Sequence, residues 1–363
     1  MRRDAALALA VLLLLATPRI VRLGSAHLLA LDLLVPGSLP TVQSVTLGKI
    51  TFDGTSADLY RPGGPARGGL VLVPGLSRTG KDHPAFRHLA TSLARVGFLV
   101  LTPDFRGLRA FHVSEEDVQT TVRAVESLAV GGPRPIGILG FSFGAGPALL
   151  AAADPSIRDR VALVGSFGGY WDLGDVIGFV TTGWYEEDGH WRQRAQQSYN
   201  RWKLLAALVP YAADPVERAK LTRLADRKLT NPGEDVSSEV ARLGVEGRGL
   251  LALVENQQRE RVADLLASLS PRLRERLQLL SPSTAISHVR ARLLIAHGRD
   301  DDSIPYTESA RLARGAPNVG RLVIFDGFTH AFPSEGGWLT RLRQARDVER
   351  LVLLLDDLLA MRQ

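Results

Sequence analysis

The chain has 363 residues, enough for one large core plus an insertion, and its 45% hydrophobic and 23% charged content is that of a globular protein. Its formal charge of +6 comes mainly from arginines interleaved with Asp and Glu, without a dense Lys/Arg block, which argues against nucleic acid as a partner. The absence of cysteine excludes disulfides, thiolate zinc sites and a cysteine nucleophile, and neither zinc-ligand spacing nor a dinucleotide fingerprint is present to imply a metal or an organic cofactor.

Arg2 and Arg3 precede an apolar run over residues 5–16. A dozen residues suit a signal-peptide core better than a full membrane span, which needs about 20. A second apolar stretch, 28–35, follows Arg19 and Arg22 and is broken by Asp32. Residues 1–41 are therefore expected to be a hydrophobic signal or anchor segment, giving export or membrane association through residues 5–35. A cytoplasmic protein with this helix docked on its domain is the alternative, and the oligomeric state is left open.

From residue 42 the pattern becomes strand-rich, with strands expected at 45–52 and 56–60 before the turn Arg61-Pro-Gly-Gly-Pro65. Then apolar strands alternate with amphipathic helices: strands at 69–73, 98–102 and 161–164, helices at 84–96 and 114–128. Ser114 is placed to cap the second helix, with Glu115, Glu116 and Asp117 in its first turn. Continuous apolar strands separated by helices imply a mostly parallel sheet covered on both faces. The alternation stops over 171–287, which is rich in Arg, Ala and Leu with helical periodicity, and resumes with strands at 291–295 and 321–325 and a closing helix at 338–359. The expected organisation is a doubly wound α/β core from 42–170 and 288–363, with 171–287 as an inserted helical cap.

Gly140-Phe-Ser-Phe-Gly144 follows the apolar run 135–140 and opens the small-residue helix 145–153. In this strand–turn–helix setting a G-x-S-x-G serine is held on a strained turn with its hydroxyl exposed. The glycines are required because side chains there would crowd the backbone at so sharp a corner. A serine hydroxyl needs an adjacent base, and the base an orienting carboxylate. After the two late strands come His297-Gly-Arg-Asp-Asp-Asp-Ser-Ile-Pro305 and Asp326-Gly-Phe-Thr-His330, at the carboxyl edge where open α/β sheets bind ligands.

On these residues the chain, over about 42–359, resembles the α/β-hydrolase superfamily and is similar to bacterial dienelactone hydrolase-like serine esterases. The resemblance implies an α/β-hydrolase fold and the chain order nucleophile, acid, histidine. Gly298, Asp301, Ile304 and Pro305 match the segment that carries the family's acid, with Asp300 and Asp302 as rivals, and His330 matches its final histidine. The implied roles are Ser142 as nucleophile, His330 as general base then acid, and Asp301 as orienter of the imidazole. The oxyanion hole falls to the backbone N–H of Phe143 and of a residue in Pro74-Gly75-Leu76-Ser77, where many relatives have His-Gly. Proline has no N–H, so Leu76 is the better donor and Ser77 the second.

The implied reaction is cleavage of a small-molecule carboxylic ester or thioester through an acyl-enzyme. An acyltransferase, a peptidase or a non-catalytic binding protein on the same scaffold are the alternatives. The cap holds Tyr170, Trp171 and Trp184 among its aromatic residues, which would line an apolar acyl pocket or else form the cap's own core. His297 reads as structural rather than catalytic, and Asp104 and Arg106 as stabilisers of their loop. Gly75-Leu-Ser-Arg-Thr-Gly-Lys81 matches the start of a phosphate-binding loop, but Asp82 stands where a magnesium-binding hydroxyl belongs and would repel phosphate.

Overall fold

Alternate residues along the central strands serve two different cores. Val71 and Val73 pack on one face with Ile138, Leu293 and Ile295, while Leu70 and Leu72 pack on the other with Leu139, Leu294 and Ala296. This period-2 division, with apolar residues at every position, is the signature of a sheet covered on both sides. The computed structural model describes residues 2–38, 44–327 and 338–361, with side chains over 18–38, 44–327 and 345–361.

The strands are β1 (Val45–Phe52), β2 (Thr55–Pro62), β3 (Gly68–Val73), β4 (Phe98–Pro103), β5 (Ile136–Phe141), β6 (Val161–Phe167), β7 (Trp184–Glu187), β8 (His190–Gln193), β9 (Arg292–Gly298) and β10 (Val319–Phe325). Eight of them form one sheet in the order β1-β2-β4-β3-β5-β6-β9-β10. β1 and β2 form an antiparallel edge, and the strands from β4 onward run parallel. Helices Glu115–Ala129, Ala145–Ala153 and Tyr306–Gly315 cover one face; Pro84–Arg95, the closing helix Trp338–Leu359 and the N-terminal helix Arg2–Leu34 belong to the other. Ser114 caps its helix as expected, in a reciprocal capping box with Asp117.

The inserted region leaves and rejoins the core at one point. Tyr170 Oη donates to Leu280 O at 3.0 Å, the Leu173 amide to Ser281 Oγ at 2.9 Å and the Ser283 amide to Trp171 O at 3.0 Å. Between these ties the helices build a core of their own around Trp202, Leu205, Leu224, Leu250 and Leu253. The region is not wholly helical, because β7 and β8 form a hairpin. Its turn is Asp188-Gly189, with φ of 51° and 79°, the doubly left-handed geometry that Asp-Gly favours between strands.

The N-terminal helix docks through Ala26, Leu29 and Ala30, all buried. Asp32, which interrupts the apolar pattern, is an anchor: it is fully buried, accepts from Ser92 Oγ at 2.5 Å and has His88 Nε2 at 3.5 Å. Arg22 adds a two-pronged pair with Asp356 of the closing helix at 2.7 and 3.2 Å. Among the described residues no helix is long and apolar enough to cross a membrane.

Glu308 pins the entrance of the insertion, since one carboxylate oxygen accepts from the amides of Trp171 at 3.0 Å and Asp172 at 2.9 Å. Burial, with Asp175 nearby, pushes its pKa up to about 7 despite those hydrogen bonds and Arg311. Between the ordinary carboxyl range and about 7, the folded protein holds a proton that the unfolded chain releases. Stability therefore falls as pH rises through that window, by on the order of 1–3 kcal/mol. Urea denaturation of Glu308→Gln from pH 5 to 8 should lack this component; a slope equal to that of the parent would contradict it.

Candidate active site

The carboxyl ends of the parallel strands converge on one cavity of about 560 Å³. Register explains this: Phe141 at the end of β5 pairs with Phe167 of β6, Phe167 with Ala296 of β9, and Gly298 of β9 with Phe325 of β10. The chain after β3, Pro74–Ser77, reaches the same place, and Ser142 lies on the wall.

Ser142 follows β5 directly, with φ of 52°, and leads through a single 3₁₀ turn into the helix Ala145–Ala153. The left-handed conformation at a non-glycine residue costs of order 1–3 kcal/mol and is held by the surroundings. Both flanking glycines are sterically required. A Cβ on Gly144 would lie 2.1 Å from Pro74 O and 2.7 Å from Val73 O; one on Gly140 would lie 2.6 Å from Ala145 Cα and 2.7 Å from Ala148 Cβ. Gly75 approaches from the other side, and a Cβ there would stand 3.0 Å from Ser142 Cβ.

Of the two amides considered after β3, that of Ser77 already donates to Leu108 O at 3.2 Å. Leu76 and Phe143 both line the cavity with Ser142. The Phe143 amide also belongs to the first turn entering the helix, where N–H groups lack intrahelical acceptors and the helix dipole favours negative charge.

The three consecutive aspartates separate cleanly. Asp301 is 1% exposed, and its Oδ1 accepts from the amides of Ser303 at 2.8 Å and Ile304 at 3.0 Å. Asp300 turns outward to Arg194 at 3.0 Å, and Asp302 to Gln197 Nε2 at 2.8 Å, both on the inserted region. His297 lies within β9, one strand position before Gly298, and is buried. Its Nδ1 is 2.7 Å from Ser309 Oγ, while Nε2 is 2.9 Å from Ile304 O and 3.2 Å from Asp301 Oδ2. The ring thus ties the loop after β9 to the sheet and the following helix. His330 lies outside the described residues.

The aromatic residues of the insertion are placed differently from the pocket reading. Tyr170 is fully buried, its ring centroid 5.8 Å from that of Phe143 with the planes tilted by 45°, and bonded to Leu280, so it belongs to the core beneath the turn. Trp171 packs over Gly315, where a Cβ would meet its ring at 2.4 Å. Trp184 lines a separate cavity of about 990 Å³ with charged neighbours that include Asp175, Arg259 and Arg311. None of the three is among the described residues lining the Ser142 cavity.

One residue not singled out from sequence is Lys203, from the inserted helix Ser198–Leu208, which reaches the Ser142 cavity. Burial lowers its pKa, with Asp302 and Asp301 opposing the shift. A lysine in an Arg- and Leu-rich stretch carries no local signal of such a position. The phosphate-loop reading loses its lysine: Lys81 is buried and paired with Asp58 at 2.9 Å and Asp82 at 3.0 Å. In the neighbouring loop Asp104 is held by Arg109 at 3.0 Å, while Arg106 is exposed. Among the described residues no cluster of His, Asp and Glu could hold a metal ion.

The steric argument has a direct check. Gly144→Ala drives a methyl group into fixed backbone and should destabilise the protein by several kcal/mol or prevent folding. Gly249→Ala, in a helix with nothing within 4 Å of its Cβ, should be neutral or stabilising by about 0.5–1 kcal/mol. Equal denaturation midpoints for the two variants would contradict the packing described.

A family model described as the alpha/beta hydrolase family matches residues 70–336. No curated protein matches the chain. Among solved structures, a puromycin-hydrolysing peptidase of Mycobacterium tuberculosis aligns at 16% identity with a TM-score of 0.51, over 89% of this chain and 41% of that one. The chain thus spans about two-fifths of that peptidase's length. Est1E from Butyrivibrio proteoclasticus aligns at 14% identity and TM-score 0.41, over 85% of this chain and 98% of that one. A meta-cleavage product hydrolase aligns at 17% and 0.45, over 85% and 98%. At 16% identity and a TM-score of 0.51, the peptidase speaks to the fold alone. The family match spans the turn at Ser142 and the loop that carries Asp301, and the chain belongs to the alpha/beta hydrolase family.

Proposed function

We propose that the protein is a serine hydrolase that cleaves a carboxylic ester or thioester, in the manner of dienelactone hydrolase-like serine esterases. The observation that carries this reading is Ser142, held at φ 52° on the wall of a largely apolar cavity. The buried carboxylate of Asp301, on the loop after β9, supports it. Ser142 Oγ attacks the acyl carbon as its proton passes to His330, and the amides of Leu76 and Phe143 take the developing oxyanion. Collapse breaks the bond to the leaving oxygen or sulfur, which receives the proton from the imidazolium. Water then adds to the acyl-enzyme with His330 as base, and the acid leaves as Ser142 recovers its proton. Asp301 keeps the imidazole oriented and stabilises its charged form.

Turnover of a p-nitrophenyl ester should fall ~10⁴-fold or more in Ser142→Ala. Asp301→Asn should be far more damaging than Asp300→Asn or Asp302→Asn, whose carboxylates point to Arg194 and Gln197. Ser142→Ala with parental turnover, or the reverse order among the aspartates, would defeat the assignment.

Association with a lipid surface is part of the same proposal. Ile20, Val21, Leu28 and Leu31 are all exposed, and at about 100° per residue they fall on one face of the N-terminal helix, opposite the docked one; Val35, just past its end, is exposed too. Replacing Ile20 and Leu31 with Ser should reduce co-sedimentation of the full chain with phosphatidylglycerol-containing vesicles; undiminished co-sedimentation would remove the interfacial role of this face.

A further inference from the structure

We infer that the acyl group of the substrate is a long alkyl chain, and that it lies beneath the N-terminal helix rather than under the inserted region. The inference rests on Ser142 being the nucleophile and adds where the acyl group goes. The polar and the apolar lining of the Ser142 cavity come mostly from different elements. Its polar lining residues among those described are Ser77, His83, Ser142, Lys203, His297 and Ser303, from the sheet edge, its loops and one inserted helix. Away from that edge, the N-terminal helix contributes Leu33 and Leu34, and the closing helix Leu351, Leu354, Leu355 and Leu358. Every described lining residue from these two helices is a leucine. The helix Pro84–Arg95 adds Phe86, Leu89 and Leu93.

Such walls offer no donor or acceptor to a polar substituent, and a polar group seated among them would lose its hydration without replacement. They suit methylene groups. Phe141, Phe167 and Phe325, at the ends of three strands, are only partly buried against this core and complete the passage from Ser142 to the leucines. The cavity of about 560 Å³ lies within the usual size range of small-molecule sites. The larger cavity behind β7 and β8 is unsuited to an alkyl chain, being lined by Asp172, Asp175, Glu308, Arg311 and other charged groups. The N-terminal helix thereby becomes a wall of the acyl site, fixed by the buried Asp32 and the Arg22–Asp356 pair.

The test measures kcat/KM of the full-length chain on p-nitrophenyl esters from acetyl to hexadecanoyl. Each added methylene should raise kcat/KM about three- to fourfold until the cavity is full, as expected for transfer of a CH₂ group from water. Leu33→Trp and Leu351→Trp, which place bulk in the same space from two helices, should each lower the decanoyl-to-acetyl ratio at least tenfold. Trp184→Ala, in the other cavity, should leave that ratio where it was. A flat chain-length profile, or a ratio that moves with Trp184 and not with the two leucines, overturns the inference. Acetyl turnover that persists in Ser142→Ala would instead remove the nucleophile reading beneath it.

Discussion

Ser142 stands at φ 52°, where a residue with a side chain stays only if its neighbours leave it no alternative. Those neighbours are backbone: Gly144 lies against the carbonyls of Val73 and Pro74, and Gly140 against the first turn of the next helix. The turn is therefore clamped between β3 and the helix that follows β5, and both strands sit mid-sheet. The same contact brings the loop after β3, with Leu76, to the serine. The position of Ser142, the approach of Leu76 to it and the packing of the central helix thus follow from one close approach. The small residues of 145–153 are explained by it too, since a bulkier helix would not sit so near the sheet.

The fold was legible because the central strands are apolar through consecutive positions, as at 70–73 and 293–296, which marks burial on both faces, and because amphipathic helices separate them. Strands over 69–73, 98–102 and 321–325 and the helix capped at Ser114 were placed to within a residue or two. The hairpin at 184–193 was hidden by its exposure: β8 buries no residue, so no alternation reaches the sequence, and only Asp188-Gly189 signals it. The strand at 292–298 runs further than expected because His297, a polar residue, is satisfied by Ser309 and Ile304 O and so remains inside the sheet.

At the site, the turn at Ser142 and the Asp301 turn after β9 could be placed because each depends on local chain geometry. The different surroundings of Asp300, Asp301 and Asp302 are tertiary, with Arg194 and Gln197 of the insertion drawing two of them outward while Asp301 is buried. The lining of the cavity was not legible. Aromatic residues near the insertion suggested a pocket there, yet Tyr170 is consumed in packing under Phe143 and Trp171 over Gly315. The residues that reach the cavity from the N-terminal and closing helices are leucines indistinguishable in sequence from core. The docking of the N-terminal helix, which the sequence offered beside a targeting role, is seated by Asp32, its one acidic interruption after residue 4.

The account turns on an activated hydroxyl at Ser142, and covalent trapping examines that without assuming a substrate. Incubation of the full chain with a fluorophosphonate, followed by proteolysis and mass-spectrometric mapping, should find a single phosphonyl adduct on the peptide containing Gly140–Gly144, at Ser142. An unmodified Ser142 under conditions that label a known serine hydrolase, or an adduct on another residue, would contradict it.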